Sequence, residues 1–161
     1  MSPAGEFFLS DIENNRIMKI DRAGAVMEFR RPSGRANGLV FDHDGRLVMC
    51  QGGGPGGGRR VTRLEKDGGE TVLAETYGGG KFIAPNDLCI DRKGRIYFTD
   101  PYYGPSPVKS QLSSGVHLID SGRKVRRVPG KLLKPNGIVI TPDNRTCMFP
   151  IAARRSFIDI E

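Results

Sequence analysis

At 161 residues the chain is long enough for one domain with a hydrophobic core, and its 22 glycines and 11 prolines leave few ten-residue windows intact, which excludes long helices. No run of eighteen apolar residues would span a membrane. The first thirty residues carry acidic side chains and no apolar h-region, so the sequence reads as soluble and cytoplasmic. The net charge of +7 is spread through turns and strand edges in small pairs such as Arg30-Arg31 and Arg59-Arg60, with no basic run interleaved with aromatics, so it reads as a solvated surface rather than a nucleic-acid interface.

Taken in order, the chain opens inside an apolar strand, Glu6-Phe7-Phe8-Leu9-Ser10, followed by a hairpin of Arg16 to Ile20 with Val26 to Phe29 around Asp21-Arg22-Ala23-Gly24. A segment from Ala36 to Gly45 then recurs twice: Ala36-Asn37-Gly38-Leu39-Val40-Phe41-Asp42, Pro85-Asn86-Asp87-Leu88-Cys89-Ile90-Asp91 and Pro135-Asn136-Gly137-Ile138-Val139-Ile140-Thr141 align without gaps. The three Asn lie 49 and 50 residues apart. An Arg follows each unit, at Arg46, Arg95 and Arg145, and leads into a second apolar run: Leu47 to Cys50, Ile96 to Thr99, Cys147 to Phe149. Each unit predicts a hairpin whose turn needs positive φ, supplied by Gly or Asn. Two further hairpins separate the units, Val61 to Leu64 with Thr71 to Ala74 and Val116 to Ile119 with Val125 to Val128.

Four short strands per 50-residue period describe one blade of a β-propeller. The fold class is all-β, and residues 1–161 form a partial propeller: one domain of just over three blades, incomplete at both ends, the second falling in the strand-like run Ser156 to Ile160. A blade cannot bury both faces alone, so exposed end blades predict self-association. In the third unit, Pro150 removes a ladder donor and belongs at an edge or a strand end.

Of the residues that carry chemistry, Cys50, Cys89 and Cys147 lack metal-ligand spacing and read as small buried residues. Gln51 to Gly58, with six glycines, lacks the Gly-Lys-Ser/Thr ending of a phosphate loop and a following helix, so it reads as a flexible loop. His43 and His117 have no Ser or Cys placed for a triad. The three Asn carry two readings: turn residues bonding their own backbone, or amide oxygens available to a ligand.

The stretches Phe8-Leu9-Ser10-Asp11-Ile12, Arg59-Arg60-Val61-Thr62-Arg63, Pro85-Asn86-Asp87-Leu88, Gly94-Arg95-Ile96-Tyr97-Phe98-Thr99-Asp100-Pro101-Tyr102-Tyr103-Gly104 and Pro135-Asn136-Gly137-Ile138 resemble the senescence marker protein, gluconolactonase and luciferin-regenerating enzyme family, in its bacterial gluconolactonase-like branch. The resemblance implies a six-bladed propeller with one divalent metal ion, calcium or zinc, at the mouth of the central channel, and a lactonase-type ester hydrolase acting on small lactones. It places Asn136 on the metal and Asn86 on metal and substrate; Asp87, next to Asn86 in sequence, is a second catalytic candidate or a cap. Asp100 and Tyr103, which follow the strand Ile96 to Thr99, are candidates for the substrate-binding mouth by position, and Asn37 keeps the turn reading because no family ligand maps there. The family's early Glu finds no match, since Glu6 falls inside a strand, and its late Asp would lie beyond Glu161. Two amides without carboxylates hold a cation poorly, so the resemblance leaves a non-catalytic binding or structural module as the alternative.

Overall fold

Asp42, Asp91, Asp21 and Asp120 close hairpins by one device. Asp42 Oδ1 accepts the amides of Asp44 and Arg46 at 3.0 and 2.8 Å, and Asp91 Oδ1 accepts those of Lys93 and Arg95 at 2.9 and 2.8 Å. Asp21 and Asp120 repeat it with Ala23 and Ala25, and with Gly122 and Lys124. Gly45 and Gly94 supply φ of +75° and +77°, and in the third unit Asn144 takes that place at +61°. The Arg after each of the first two turns folds back on the same Asp, through Arg46 Nε to Asp42 and Arg95 Nε to Asp91.

These turns connect the strands of a computed structural model that describes residues 1–103, 113–130, 132–151 and 154–159; Gly104, Ala152 and Ile160 of the sequence patterns lie outside them. The strands are β1 (Phe7–Asp11), β2 (Arg16–Ile20), β3 (Val26–Arg30), β4 (Ala36–Phe41), β5 (Leu47–Gln51), β6 (Arg60–Leu64) and β7 (Glu70–Ala74). A small hairpin follows, β8 (Thr76–Tyr77) with β9 (Gly80–Lys81), and then β10 (Leu88–Ile90), β11 (Ile96–Asp100), β12 (Gly115–Ile119), β13 (Val125–Arg127), β14 (Val139–Ile140), β15 (Thr146–Ile151) and β16 (Arg154–Asp159). They form two four-stranded antiparallel sheets, β4-β5-β6-β7 and β10-β11-β12-β13, flanked by three-stranded sheets β1-β2-β3 and β14-β15-β16. This is a partial β-propeller: two whole blades between two shorter ones. The β8–β9 hairpin carries no sequence signal beyond Gly78 and Gly79, both at positive φ, because two-residue strands show no period.

Strands β4, β10 and β14 lie side by side as inner strands, with β1 next to β4. β1 runs against β4: Ser10 near its end meets Asn37 at the start of β4, while Pro3 ahead of it packs by Gly45 in the turn after β4. Glu6 is therefore not inside a strand, as the sequence pattern suggested. It precedes β1, at the end away from Asn37, and pairs with Lys19 at 2.9 Å.

The core is the space between sheets, and this explains why the second strand of each unit is apolar on both faces. On β5, Val48 and Cys50 join Val61, Phe82, Leu88 and Phe98 on one side, while Leu47 and Met49 join Ile17 and Ala36 on the other. On β11, Ile96 and Phe98 face the first of these clusters and Tyr97 faces a third, with Val116, Cys147 and Phe149. All three cysteines are buried and free, and the sulfurs of Cys89 and Cys147 lie 3.7 Å apart. Pro150 sits in the middle strand of its sheet, yet beyond the Val139–Met148 pair, so its missing donor falls ahead of the start of β14. Phe7 and Leu9 on β1 and Val139 on β14 remain half exposed at the two end sheets.

The repeat also joins the blades. The sixth residue after Asn37 and after Asn86 reaches the next turn: His43 Nε2 donates to the Asp91 carbonyl at 2.9 Å, and Arg92 donates to Asn144 Oδ1 and the Pro142 carbonyl at 3.0 and 2.9 Å. Because Gly94 N also bonds the Asp91 carbonyl, His43→Ala is expected to cost only about 1 kcal/mol, read as a lower urea midpoint at unchanged slope.

Candidate functional site

At the ends of the inner strands opposite these turns, the repeat brings its three Asn into one groove. Gly38 N donates to the Asn86 carbonyl at 2.7 Å, and Asp87 Oδ2 accepts Ile138 N at 3.1 Å, so successive inner strands are tied at the same register. Ser10, Asn37, Gly38, Asn86, Asp87 and Asn136 line a groove of about 410 Å³.

Asn86 is held through its backbone. Its amide donates to the Thr99 carbonyl at 2.8 Å, Thr99 N donates back to the Asp87 carbonyl at 2.9 Å, and Asp87 N reaches Thr99 Oγ1 at 3.1 Å. The Asn86 side chain is left half-buried in the groove with no hydrogen bond among the described residues. Asp87 uses both oxygens on backbone amides: Oδ1 accepts Leu88 N at 2.9 Å and Oδ2 takes Ile138 of the next blade. Its carboxylate is thus a cap for β10 and a link between two blades while lining the groove.

Asn136 is exposed, and its Nδ2 donates to the Tyr103 hydroxyl at 2.7 Å, which leaves the Asn136 amide oxygen for another partner. None of the three Asn side chains bonds its own backbone among the described residues. Asn37 is not a turn residue. It lies within β4 beside a bulge, its carbonyl accepts Ser10 Oγ at 2.6 Å, and it lines the same groove as the other two. Ser10 and Asn37 escape a reading that follows family ligands only; the common register of the repeat is the signal that places Asn37.

Asp100 stands elsewhere. It is wholly buried, outside the described lining of the groove, where its carboxylate accepts Ile83 N at 3.0 Å and Ala84 N at 2.7 Å. Burial pushes its pKa up to about 6, against the pull of those two amides and of the Arg127 and Arg59 charges. His117 is likewise buried, among the rings of Tyr77, Phe82 and Phe98, and neither ring nitrogen has a partner. Burial, with the Arg127 charge, holds it down to about 4, so the imidazole is neutral at pH 7.

A divalent cation asks for several oxygens and enough negative charge to replace its water. The groove offers amide oxygens and one carboxylate already engaged by two backbone donors, and the described residues contain no cluster of three His, Cys, Asp or Glu. These residues alone do not make a complete metal site.

Residues 1–155 match the model of the SMP-30/gluconolactonase/LRE-like region. The chain belongs to this family. It is 28% identical over 159 residues to a gluconolactonase of Zymomonas mobilis, an alignment covering 86% of this chain and 44% of that protein. Its fold superposes on a gluconolactonase from Xanthomonas campestris with a TM-score of 0.83 at 25% identity, over 98% of this chain and 55% of that one. The calcium-binding protein regucalcin from Agrobacterium tumefaciens matches the fold with a TM-score of 0.73 at 16% identity, over 98% of this chain and 51% of that one. The chain thus spans about half the length of the gluconolactonase-like relatives it matches, and its four sheets correspond to part of their ring.

Proposed function

We propose that this chain carries part of the active groove of a lactonase, a carboxylic-ester hydrolase acting on a sugar lactone or a similar cyclic ester. The observation that carries the proposal is the convergence of Asn37, Asn86 and Asn136 at one end of the inner strands, in a chain of the gluconolactonase-like family. Amide side chains suit a polyhydroxylated ring, since each offers a donor and an acceptor. Asn86, unpartnered and fixed by its backbone, is placed to meet a lactone oxygen. Asp87 keeps Asn86 and the corner before β14 in mutual register, and Tyr103 orients the Asn136 amide.

Calcium or zinc as a cofactor belongs to the same proposal, with Asn136 and Asn86 as its amide ligands. The charge would have to come from carboxylates outside this groove's described residues, as the resemblance to the family expects. If that charge is never supplied, the chain is a binding or structural module, and the incomplete donor set is what favours this second reading.

Hydrolysis of glucono-δ-lactone by the purified chain, followed by proton release with and without calcium or zinc, separates the two. Metal-dependent turnover lost in Asn136→Ala supports the lactonase; a folded protein without turnover leaves the module. Within an active protein, Tyr103→Phe removes one neutral hydrogen bond and is expected to weaken KM about 3- to 10-fold with little change in kcat.

A further inference from the structure

The glycine run between β5 and β6 is not a loose tether. Its backbone is bonded at Gly52 N to the Arg35 carbonyl, Gly57 N to Gly54, Gly58 N to Gly34 and Arg59 N to Gly52, at 3.0 to 3.1 Å. Since Ala36 pairs with Gln51, the loop rises at the same end of the blades as Asn37. There it walls a second groove, of about 460 Å³, with Arg30, Arg60, Gln51 and Glu70 on its other side.

Charge in this groove does not balance. Glu70 faces two guanidinium groups: Oε2 accepts Arg30 Nη2 at 2.8 Å, and Oε1 accepts Arg60 Nη2 and Gln51 Nε2, both at 3.1 Å. Gln51, almost fully buried, completes the frame by accepting Arg60 Nε at 2.6 Å. Neither Arg has another carboxylate partner among the described residues, so one positive charge is left over. Arg30 makes no other hydrogen bond there, and its Nε is a buried donor without an acceptor. Both side chains line the groove and are about one-third exposed, although Arg30 Nε itself is buried.

The glycines keep the opposite wall free of side chains. A Cβ on Gly34 would meet the Gln51 amide at 2.7 Å, and one on Gly57 or Gly58 would collide with the Gly52 carbonyl or the Gln51 amide. Gly56, at φ +76°, presents an amide that makes no hydrogen bond among the described residues. Forked donors on one wall, a bare backbone on the other and a surplus positive charge suit a compact oxyanion.

We propose that this groove is a binding site for a phosphate or carboxylate group, held by Arg30 and Arg60. It stands next to the Asn-lined groove: Gly34 lines one and Asn37 the other, three residues and therefore at most about 11 Å of chain apart. The site rests on its own residues and stands whether or not the lactone reading does.

Thermal unfolding of the full chain in inorganic phosphate, against sodium chloride at matched ionic strength, tests it. A saturable rise in Tm with phosphate is expected, because a ligand of the folded state stabilises by mass action. Arg60→Gln should weaken the apparent phosphate affinity at least tenfold, and Glu70→Gln should strengthen it several-fold by removing the competing carboxylate. Arg22→Gln, outside the groove, should leave it unchanged. A charge network that serves folding alone would not bind phosphate more tightly on losing Glu70. An equal rise in chloride, or one that persists in Arg60→Gln and is unaltered in Glu70→Gln, overturns the site. Tighter binding of 6-phosphogluconate than of inorganic phosphate, lost in Arg60→Gln, would assign the site to an anionic group on a sugar acid; equal affinities would assign it to the free oxyanion.

Discussion

Relative to Asp100→Asn, the wild-type chain should lose stability as pH rises from 4 to 7, through a single buried carboxylate. Folding raises the Asp100 pKa from 3.8 to about 6. Between these values the folded chain holds a proton on Asp100 that the unfolded chain has released, so this group's contribution to the free energy of unfolding decreases with increasing pH. The contribution is complete below about pH 4 and gone above about pH 6. At 1.36 kcal/mol per unit it amounts to about 3 kcal/mol, a large share of the stability of a small domain. Other groups work in the opposite direction: His117, held down to about 4 by burial, takes up a proton in the unfolded chain as pH falls below about 6.5, and the exposed carboxylates of Asp11, Glu28, Glu65 and Asp143 have their pKa lowered by folded-state partners, so the contributions of all five fade on acidification. The difference between wild type and Asp100→Asn isolates the buried group, since Asn still offers an oxygen to Ile83 N and Ala84 N. Urea midpoints at pH 4, 5, 6 and 7 provide the measurement. An equal slope in both proteins would mean that Asp100 is not the group that titrates.

The fate of Asp100 shows what kind of information a repeat carries. The recurrence of Asn, Asp and Gly at one register was legible because each turn is closed by local bonds within five residues, and local chemistry survives in sequence. The blades follow from it directly, whereas the place of Asn37, read as a turn residue, beside Asn86 and Asn136 shows only in the fold. Asp100 was not legible as a buried group, because β11 is covered on both faces and nothing in Phe98-Thr99-Asp100 tells which side chain turns toward the Ile83-Ala84 backbone. The direction of β1 was hidden for a similar reason. An apolar pentapeptide is equally good in either sense, and only contacts with Asn37 and Gly45 show that Glu6 lies at the far end from the groove. The paired arginines that looked like scattered surface charge are in part a frame around Glu70, 40 residues from Arg30 in sequence.

Gly38→Ala is expected to destabilise the protein by about 3 kcal/mol and to disorganise the Asn groove, although Gly38 needs no unusual φ. Its added Cβ would stand 2.7 Å from Asp87 Cα and 2.9 Å from both the Asn86 carbonyl oxygen and Asp87 Oδ1. Two of these atoms are backbone of the neighbouring inner strand, so relief requires β4 and β10 to separate, which breaks the 2.7 Å bond from Gly38 N to Asn86. Overpacking of this kind costs about 1–3 kcal/mol, and the lost hydrogen bond about 1 more. Gly122→Ala is the control: its Cβ would meet nothing closer than 3.4 Å, and its melting temperature should stay near wild type. The contrast explains the alternation at the position after each Asn, which reads Gly38, Asp87, Gly137. Gly38 leaves room for the Asp87 corner, and Asp87 then passes Gly137, whose Cβ would lie 4.0 Å from Oδ2, to reach Ile138 N. The small residues are thus set by the carboxylate between them, and Asp87→Ala should lose both amide partners without the clash, at a smaller cost than Gly38→Ala. If the two variants reversed that order in a thermal melt, the spacing of the inner strands would be governed by the carboxylate bonds rather than by the room that Gly38 leaves.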